Sequence, residues 1–296
     1  MKKGKYLFEK EPLRKHKNLT NDEIYEVKEF LEKRKLESNK PLPQRLVVNI
    51  KCKSPHQKEL INSIKDNEIT ICYGPPGTGK TYLSCAQALK LMKGKNHIDK
   101  IYLVKSVTTL RNEEIGFLKG TMDDKMAPFM FSFINNFEKL IGKGLTRALK
   151  ENGYIEYLPI AYMRGINIDN AVIIIDEAQN ISIQNLKTIM TRLGENSRMV
   201  FLGDMKQKDI KNKKDSALEF LFEQFSNINK IGVVSFTLDD VVRNPLIKDI
   251  EEVFDRVEEK SKKESQPKDQ PSQERSKTPL KYRWLRLKSS VQKLFR

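Results

Sequence analysis

The chain has 296 residues, of which 38% are hydrophobic and 32% charged. These values fit a soluble protein with one large domain or two small ones. Its apolar runs are short, as in residues 171–175, whereas a membrane-spanning helix needs about 20 apolar residues, so the composition excludes a transmembrane role. The three cysteines form no CxxC pair and the three histidines are scattered. This pattern argues against a structural zinc site or a disulfide framework, and we expect a reducing, cytoplasmic location.

The net charge of +16 lies in the two flanks of the chain. Residues 1–58 carry 16 basic and 8 acidic side chains, and residues 260–296 carry 12 and 3. The central residues 59–259 are nearly neutral, with 27 basic and 28 acidic side chains. Basic flanks of this kind can release counterions from nucleic-acid phosphates, or they can merely aid solubility.

The first 45 residues predict a basic helical extension and a linker. No apolar run follows the basic start of the chain, so it is not typical of a secretory signal. Thr20 and Glu23 match a capping box, and apolar residues then recur at helical spacing. We therefore expect one amphipathic helix over about 21–38, packed on the main domain and followed by a linker at Pro41 and Pro43.

From Glu68 to Phe236, short β-branched runs alternate with amphipathic stretches. The predicted buried strands are Ile69–Tyr73, Lys100–Lys105, Ala171–Ile175, Met199–Gly203 and Ile231–Phe236. The predicted helices are Tyr82–Met92, Ile183–Leu193, Ser216–Phe225 and Leu246–Val257, with a further helical stretch over 127–149 as an insertion on the sheet. This alternation predicts an α/β domain with a mainly parallel sheet.

The C-terminal segment changes composition after Val257. Residues 260–279 have almost no apolar side chains and predict a flexible, disordered tether. Residues 281–296 regain a helical apolar stripe among six basic side chains. That helix would suit nucleic acid, an acidic membrane surface, a partner protein or its own domain. The sequence thus predicts an extension over 1–45, a main domain over 46–259 and a basic tail over 260–296.

A phosphate-binding loop follows the first predicted strand and opens a helix. It matches G-x-x-x-x-G-K-[ST] over the residues Gly74, Pro75, Pro76, Gly77, Thr78, Gly79, Lys80 and Thr81. Glycines let backbone N–H groups surround phosphate oxygens without Cβ clashes. Lys80 is then expected to reach the β- and γ-phosphates of a nucleotide, and the Thr81 hydroxyl to ligate Mg²⁺.

A second motif places two carboxylates after the strand that begins at Ala171. Ligand sites of parallel sheets lie at the carboxyl ends of their strands. Asp176 suits Mg²⁺ coordination beside Thr81, and Glu177 suits a general base that orients the attacking water. Together with Lys80, this pair predicts a nucleotide hydrolase.

Two further polar residues are candidates for the same site. Gln207 follows the predicted strand Met199–Gly203 and could sense the γ-phosphate. Arg243, in the segment TLDDVVRNP, could place positive charge on the transition state. Taken alone, each is more often a surface polar residue than a catalytic one.

On these motifs the chain resembles the PhoH-like ATPases, which are related to the core of superfamily 1 helicases. The resemblance spans about residues 54–254 and rests on the stretches GPPGTGKTYL, EEIGFLKGTMDDKMAPFM, AYMRGINIDNAVIIIDEAQN, GDMKQKD and DVVRNPL. It implies a single RecA-like P-loop NTPase domain that uses ATP and Mg²⁺. It also implies that Gln57 reads adenine, that Gln207 senses the γ-phosphate and that Arg243 acts on it.

The expected function is Mg²⁺-dependent ATP hydrolysis coupled to single-stranded RNA or DNA, with RNA favoured. Because related helicases complete their site with a second domain, we expect a homo-oligomer, with a ring as one arrangement, in which a neighbouring subunit does so. Three classes of function stay open: a helicase or translocase, an ATP-switched nucleic-acid-binding module without helicase activity, and a small-molecule kinase. A membrane role is not expected beyond peripheral contact by the tail.

Overall fold

The computed structural model describes residues 46–94, 98–106, 122–207, 209, 215–242, 246, 248–250, 252–254 and 256–257, with side chains from residue 129 onward in the helix that starts at Met122. The chain divides into two units, Met1–Ile247 and Lys248–Arg296. In the second unit the described residues are helical. The predicted helix over 21–38 and the predicted tail over 260–296 lie outside the described residues.

The first unit alternates strands and helices as the sequence predicts. In chain order its elements are α1 (Pro55–Asp66), β1 (Ile69–Tyr73), α2 (Lys80–Lys93), β2 (Lys100–Lys105), α3 (Met122–Ile141), α4 (Lys143–Glu151), β3 (Ile155–Tyr157), β4 (Ala171–Asp176), α5 (Ile183–Met190), β5 (Arg198–Gly203), α6 (Ala217–Phe225) and β6 (Ile231–Ser235). Each predicted strand is present to within one residue at either end. Across the described ranges, no helix has the length and apolar character needed to cross a membrane.

The strands form one parallel sheet in the order β3-β2-β4-β5-β1-β6. Strand β5 therefore lies between β1, which precedes the phosphate-binding loop, and β4, which precedes the two carboxylates. A sheet of this kind is covered on both faces, which explains why its strands read as nearly continuous apolar runs. The predicted α/β fold with a mainly parallel sheet is confirmed.

Helices cover both faces of the sheet. Alternate strand residues point to opposite faces, so Val172 and Ile174 of β4 join the core beneath α1 to α4, whereas Ile173 and Ile175 join the core beneath α5 and α6. All four side chains are fully buried. This double core holds the strand ends that carry the candidate site.

Helix α1 was not predicted. It begins after Ser54, whose hydroxyl accepts a 3.3 Å hydrogen bond from the backbone N–H of Gln57, and Pro55 occupies its first turn. Both are ordinary signals of a helix start. The apolar side chains Leu60 and Ile64 are too few to give a clear helical period, although both are buried in the core.

The segment between β2 and β4 also differs in detail. The predicted helical stretch over 127–149 is two helices, because Gly142, with a φ of +81°, ends α3 before α4 begins. Strand β3 was missed because it is only three residues long and pairs only with β2 among the described strands. Helices α3 and α4 thus connect β2 to the edge strand instead of forming an insertion.

Candidate active site

The candidate site lies at the carboxyl ends of β1, β4 and β5. A cleft of about 680 Å³ opens there, and the described residues lining it include Lys80, Thr81, Asp176, Glu177 and Gln207. Lys80 and Gln207, which are 127 positions apart in the sequence, therefore meet in one cavity. This is the edge at which parallel α/β sheets bind their ligands.

The phosphate-binding loop depends on glycines at two places. Gly74 has a φ of +142°, and a Cβ atom there would come within 2.5 Å of the backbone oxygen of Phe236. Gly79 has a φ of +90° and stands at the N-cap of α2. Residues with a Cβ atom rarely adopt these backbone conformations. The loop can therefore fold closely around a phosphate only with glycine at both positions.

Lys80 lies folded over the loop that precedes it. Its Nζ donates hydrogen bonds to the backbone oxygens of Gly74 at 2.7 Å and Pro75 at 2.8 Å. Burial lowers the pKa of this lysine, while the nearby Cys72, Asp204, Asp176 and Glu177 partly oppose that shift. An anion in the loop would favour the charged ammonium, since opposite charges stabilise each other most where water is scarce.

Thr81 and Asp176 come together across the cleft. The Thr81 hydroxyl donates to Asp176 Oδ2 at 3.3 Å. Burial, followed by the neighbouring Glu177, raises the pKa of Asp176 to about 6. A hydroxyl and a carboxylate this close fit Mg²⁺, which takes oxygen ligands and completes its shell with substrate phosphates and water. Within the described ranges no group of three or more acidic, histidine or cysteine side chains forms an all-protein metal cage.

Glu177 has an unusual backbone conformation at the end of β4. Its φ of +56° and ψ of +40° place it in the left-handed region, which ordinary side chains adopt rarely. Its backbone N–H donates to Asp176 Oδ1 at 3.1 Å, and its carboxylate accepts a 2.6 Å hydrogen bond from Gln179. Local strain of this kind is often found at functional sites.

The loop after β5 brings a third carboxylate that sequence reasoning missed. Asp204 is 9% exposed and accepts a hydrogen bond from the backbone N–H of Lys206 at 2.9 Å. Burial raises its pKa. The sequence could have indicated Asp204, because it directly follows a buried strand, which is the pattern that identified Asp176. Gln207 is exposed in this loop and lines the cleft, so its role as a γ-phosphate sensor stays a prediction.

Gln57 also lines the cleft, but its side chain already supports the loop. It is 3% exposed, its Nε2 donates to the backbone oxygen of Thr78 at 2.9 Å, and its Oε1 accepts from the backbone N–H of Lys53 at 2.7 Å. A side-chain amide can make one more hydrogen bond at each end, through its second N–H and the second lone pair of its oxygen, so these two contacts do not prevent it from also binding a base. Adenine reading by Gln57 therefore stays a prediction, beside a structural role that the sequence did not indicate.

The segment ahead of Arg243 is attached to both the phosphate loop and α1. The backbone N–H of Val242 donates to the backbone oxygen of Gly77 at 3.1 Å. Asp240, which is 3% exposed, accepts from the backbone N–H of Thr237 at 2.8 Å and lies 2.8 Å from Nδ1 of His56. Arg243 itself lies outside the described residues, so its predicted role is untested.

The sequence comparisons with known proteins agree on one family. A sequence profile described as "PhoH-like protein" matches residues 49–255. The PhoH-like protein of Bacillus subtilis (strain 168) is 36% identical over 208 residues, which cover 70% of this chain and 65% of that protein. The PhoH-like protein of Synechocystis is 34% identical over 72% of this chain and 64% of its own length. Protein PhoH of Escherichia coli (strain K12) is 33% identical over 64% and 54%.

The match leaves part of each relative uncovered, since the chain spans less than two thirds of the length of these three proteins. Among solved structures, the large terminase of a thermophilic bacteriophage in complex with ADP aligns with 64% of this chain and 47% of its own. That alignment has 15% sequence identity and a TM-score of 0.38.

Proposed function

Because the chain belongs to the PhoH-like protein family, we propose that it binds ATP, hydrolyses it with Mg²⁺ and couples hydrolysis to RNA binding or remodelling in the cytoplasm. The observation that carries the proposal is the 3.3 Å contact between Thr81 and Asp176. It places the hydroxyl of the phosphate loop against the carboxylate of a separate strand, beside Lys80. This is the arrangement that P-loop NTPases need for a metal–phosphate complex.

Four side chains of the cleft carry out this mechanism. Lys80 and the backbone N–H groups of the loop bind the β- and γ-phosphates, and Thr81 and Asp176 would hold Mg²⁺, which when bound neutralises phosphate charge. Glu177 accepts a hydrogen bond from a water and directs it at the γ-phosphorus. The water oxygen forms the new P–O bond as the bond to the ADP oxygen breaks, and the water proton passes to Glu177.

The coupling to nucleic acid rests on charge and on the family. The two basic flanks have net charges of +8 and +9, which suits counterion release from single-stranded RNA or DNA. The proposal predicts that removing residues 260–296 weakens RNA binding and flattens its salt dependence. Unchanged affinity would mean that the tail takes no part.

The proposal includes assembly into a homo-oligomer, with a ring as one arrangement. Superfamily 1 helicases use a second domain to complete the site, and Arg243 is the candidate residue, acting either in its own subunit or in a neighbouring one. Mixing Lys80→Ala with Arg243→Ala tests this, because in a mixed oligomer some sites would combine an intact Lys80 with an intact Arg243. Recovery of activity on mixing would support the assembly and the action of Arg243 across subunits, whereas no recovery at any ratio would place Arg243 in its own subunit. A strictly monomeric protein that hydrolyses ATP at a rate independent of its own concentration would contradict the assembly.

A second candidate is an ATP-switched binding module without helicase activity. It is favoured by the single P-loop domain that the described residues contain, since unwinding by related helicases uses two. A module of this kind would bind RNA differently with ATP and ADP but would not separate a tailed duplex. A small-molecule kinase is disfavoured, because Glu177 suits activation of water.

The test of the proposal is ATPase activity with and without single-stranded RNA and DNA. Lys80→Ala should lose nucleotide affinity and turnover, whereas Glu177→Gln should keep affinity and lose about 10²–10⁴-fold in kcat. Lys90→Ala, an exposed lysine on the same helix, is the matched control and should leave both unchanged. Equal activity in all four proteins would end the enzyme assignment.

A further inference from the structure

Helix α3 presents a row of polar side chains to the cleft that holds the phosphate loop. They recur at intervals of three and four residues, so they share one helix face. This α3 stripe consists of Ser132, Asn135, Asn136 and Lys139, and all four line the cleft. The sequence shows the spacing, but nothing in it places the stripe beside the phosphate loop.

The apolar side of α3 fixes the stripe in place. Phe133 and Phe137 are fully buried in the core that α3 shares with α1, α2 and α4. These two aromatic side chains are four residues apart and turned away from the stripe. Because the buried face cannot rotate without opening the core, the polar face is held toward the cleft.

The chemistry of the stripe differs from that of the strand ends. The strand ends supply carboxylates, whereas the stripe supplies two amides, a hydroxyl and an ammonium. Lys51 and Lys53, from the segment before α1, line the same cleft. The hydroxyl oxygen of Ser132 is buried with no hydrogen-bond partner among the residues that the structure describes. Buried polar atoms are normally paired, so this one marks a place where a further polar group is expected.

The size of the cleft leaves room for more than phosphates. Lys80 and Thr81 stand at the first turn of α2, where a triphosphate would bind, and the cleft of about 680 Å³ is in the range of sites that take a whole drug-sized ligand. Ribose hydroxyls and base edges both donate and accept hydrogen bonds. Asparagine amides do the same, so they match a nucleoside better than they match an anion.

We infer that the α3 stripe is the subsite for the nucleoside, meaning the ribose and base of the nucleotide whose phosphates lie in the loop. The inference rests on the proposed function, because it assigns the remainder of the same ligand. Asn135 and Asn136 would contact the nucleoside directly, and Lys139 would border it. A nucleic-acid strand in this place is the competing occupant.

The experiment compares ATP with tripolyphosphate, which has the phosphates and lacks the nucleoside. Dissociation constants for both ligands with Mg²⁺ are measured by calorimetry for the wild type, Asn135→Ala, Asn136→Ala and the double variant. Removing two hydrogen-bonding amides should weaken ATP binding by about tenfold in the double variant. Tripolyphosphate binding should stay within about twofold of the wild type.

Glu138→Gln is the matched control, since it lies on the same helix and is absent from the cleft wall. It should leave both constants unchanged. Unfolding curves for each variant establish that the fold is intact. Single-stranded RNA is titrated against the same proteins to test the competing occupant.

Two results would overturn the inference while leaving the proposed function in place. They are equal weakening of ATP and tripolyphosphate, and unchanged ATP binding in the double variant. If the second comes with a loss of RNA affinity, a nucleic-acid strand is the occupant of the stripe. A wild type that binds neither ATP nor tripolyphosphate would overturn the proposed function, and the inference with it.

Discussion

The side-chain amide of Gln179 donates a 2.6 Å hydrogen bond to the carboxylate of Glu177. Its Oε1 accepts a second hydrogen bond from the backbone N–H of Asp204 at 3.1 Å. Because Gln179 is 1% exposed, this amide is a fixed link between the loops that follow β4 and β5. We therefore expect Gln179 to hold the Glu177 carboxylate in the direction needed to orient water.

Replacing Gln179 should affect turnover more than nucleotide affinity. In Gln179→Leu both hydrogen bonds are lost and Glu177 can turn, so we expect kcat to fall by about 10- to 100-fold while the Kd for ATP changes by less than about threefold. Steady-state kinetics and nucleotide titration measure the two quantities separately. Gln224→Leu, at an exposed position of α6, is the control. A raised Kd with unchanged kcat would show that Gln179 serves the phosphate loop instead.

Replacing Gly203 by alanine, the smallest residue with a side chain, should lower both stability and activity. A Cβ atom there would overlap Oε1 of Gln179 and come within 2.8 Å of a Leu218 methyl group. We expect Gly203→Ala to lower the free energy of unfolding by about 1–3 kcal/mol and to reduce kcat. Urea denaturation and ATPase assays measure these effects.

The control for Gly203→Ala is Gly144→Ala in α4, where an added Cβ meets nothing within 4 Å. It should be neutral or slightly stabilising, because alanine favours a helix. Combining Gly203→Ala with Gln179→Ala removes the overlapping side chain, so the two effects should not add. Strict additivity would contradict the contact.

Asp240 should make stability depend on pH in the acid range. Burial alone would raise its pKa, but hydrogen bonds from Ser54, Thr237 and His56 outweigh burial and lower it. A carboxyl with a lowered pKa in the folded protein stabilises it above its ordinary pKa of 3.8 and loses that effect as the pH falls below that value.

We therefore expect Asp240→Asn to cost about 1–3 kcal/mol of unfolding free energy at pH 7 and much less at pH 3. Urea denaturation at both values measures the difference. Asp66→Asn, whose side chain is 64% exposed, is the control and should change little at either pH. A cost for Asp240→Asn that is the same at both values would contradict the assigned role of its charge.

The cysteines should differ in their reactivity. Cys72 and Cys85 are fully buried, and burial raises the pKa of Cys72 to about 12 and that of Cys85 well above its ordinary value. Cys52 is partly exposed. Because the thiolate is the reactive form, iodoacetamide at pH 8 should label Cys52 in the folded protein and the other two only in urea. Mass spectrometry identifies the sites, and early labelling of Cys72 would contradict the burial.

The strands and the loop motifs were predictable because their signals are local. Strand Ile69–Tyr73 is a β-branched apolar run, and the glycine-rich loop follows it directly. Helix α1 was harder, since its sequence PHQKELINSIKD has a polar first half and its burial depends on packing against α2 and β6.

The contacts that complete the site were not predictable from the sequence. Strand β5 enters between β1 and β4, and this order brings Asp204 beside Gln179. The sequence shows that Gln179 follows a pair of carboxylates, but it does not show which loop its amide reaches. Tertiary contacts of this kind depend on strand order, which local patterns do not determine.

The central position of β1 has a consequence for protein synthesis. Its two neighbours in the sheet, β5 and β6, begin at Arg198 and Ile231, more than 120 residues after β1 ends at Tyr73. Such distant pairing forms late, because the long intervening chain must first be closed. In a nascent polypeptide on the ribosome, the strand that leads into the phosphate loop therefore lacks at least one of its two neighbours until translation has passed Ser235.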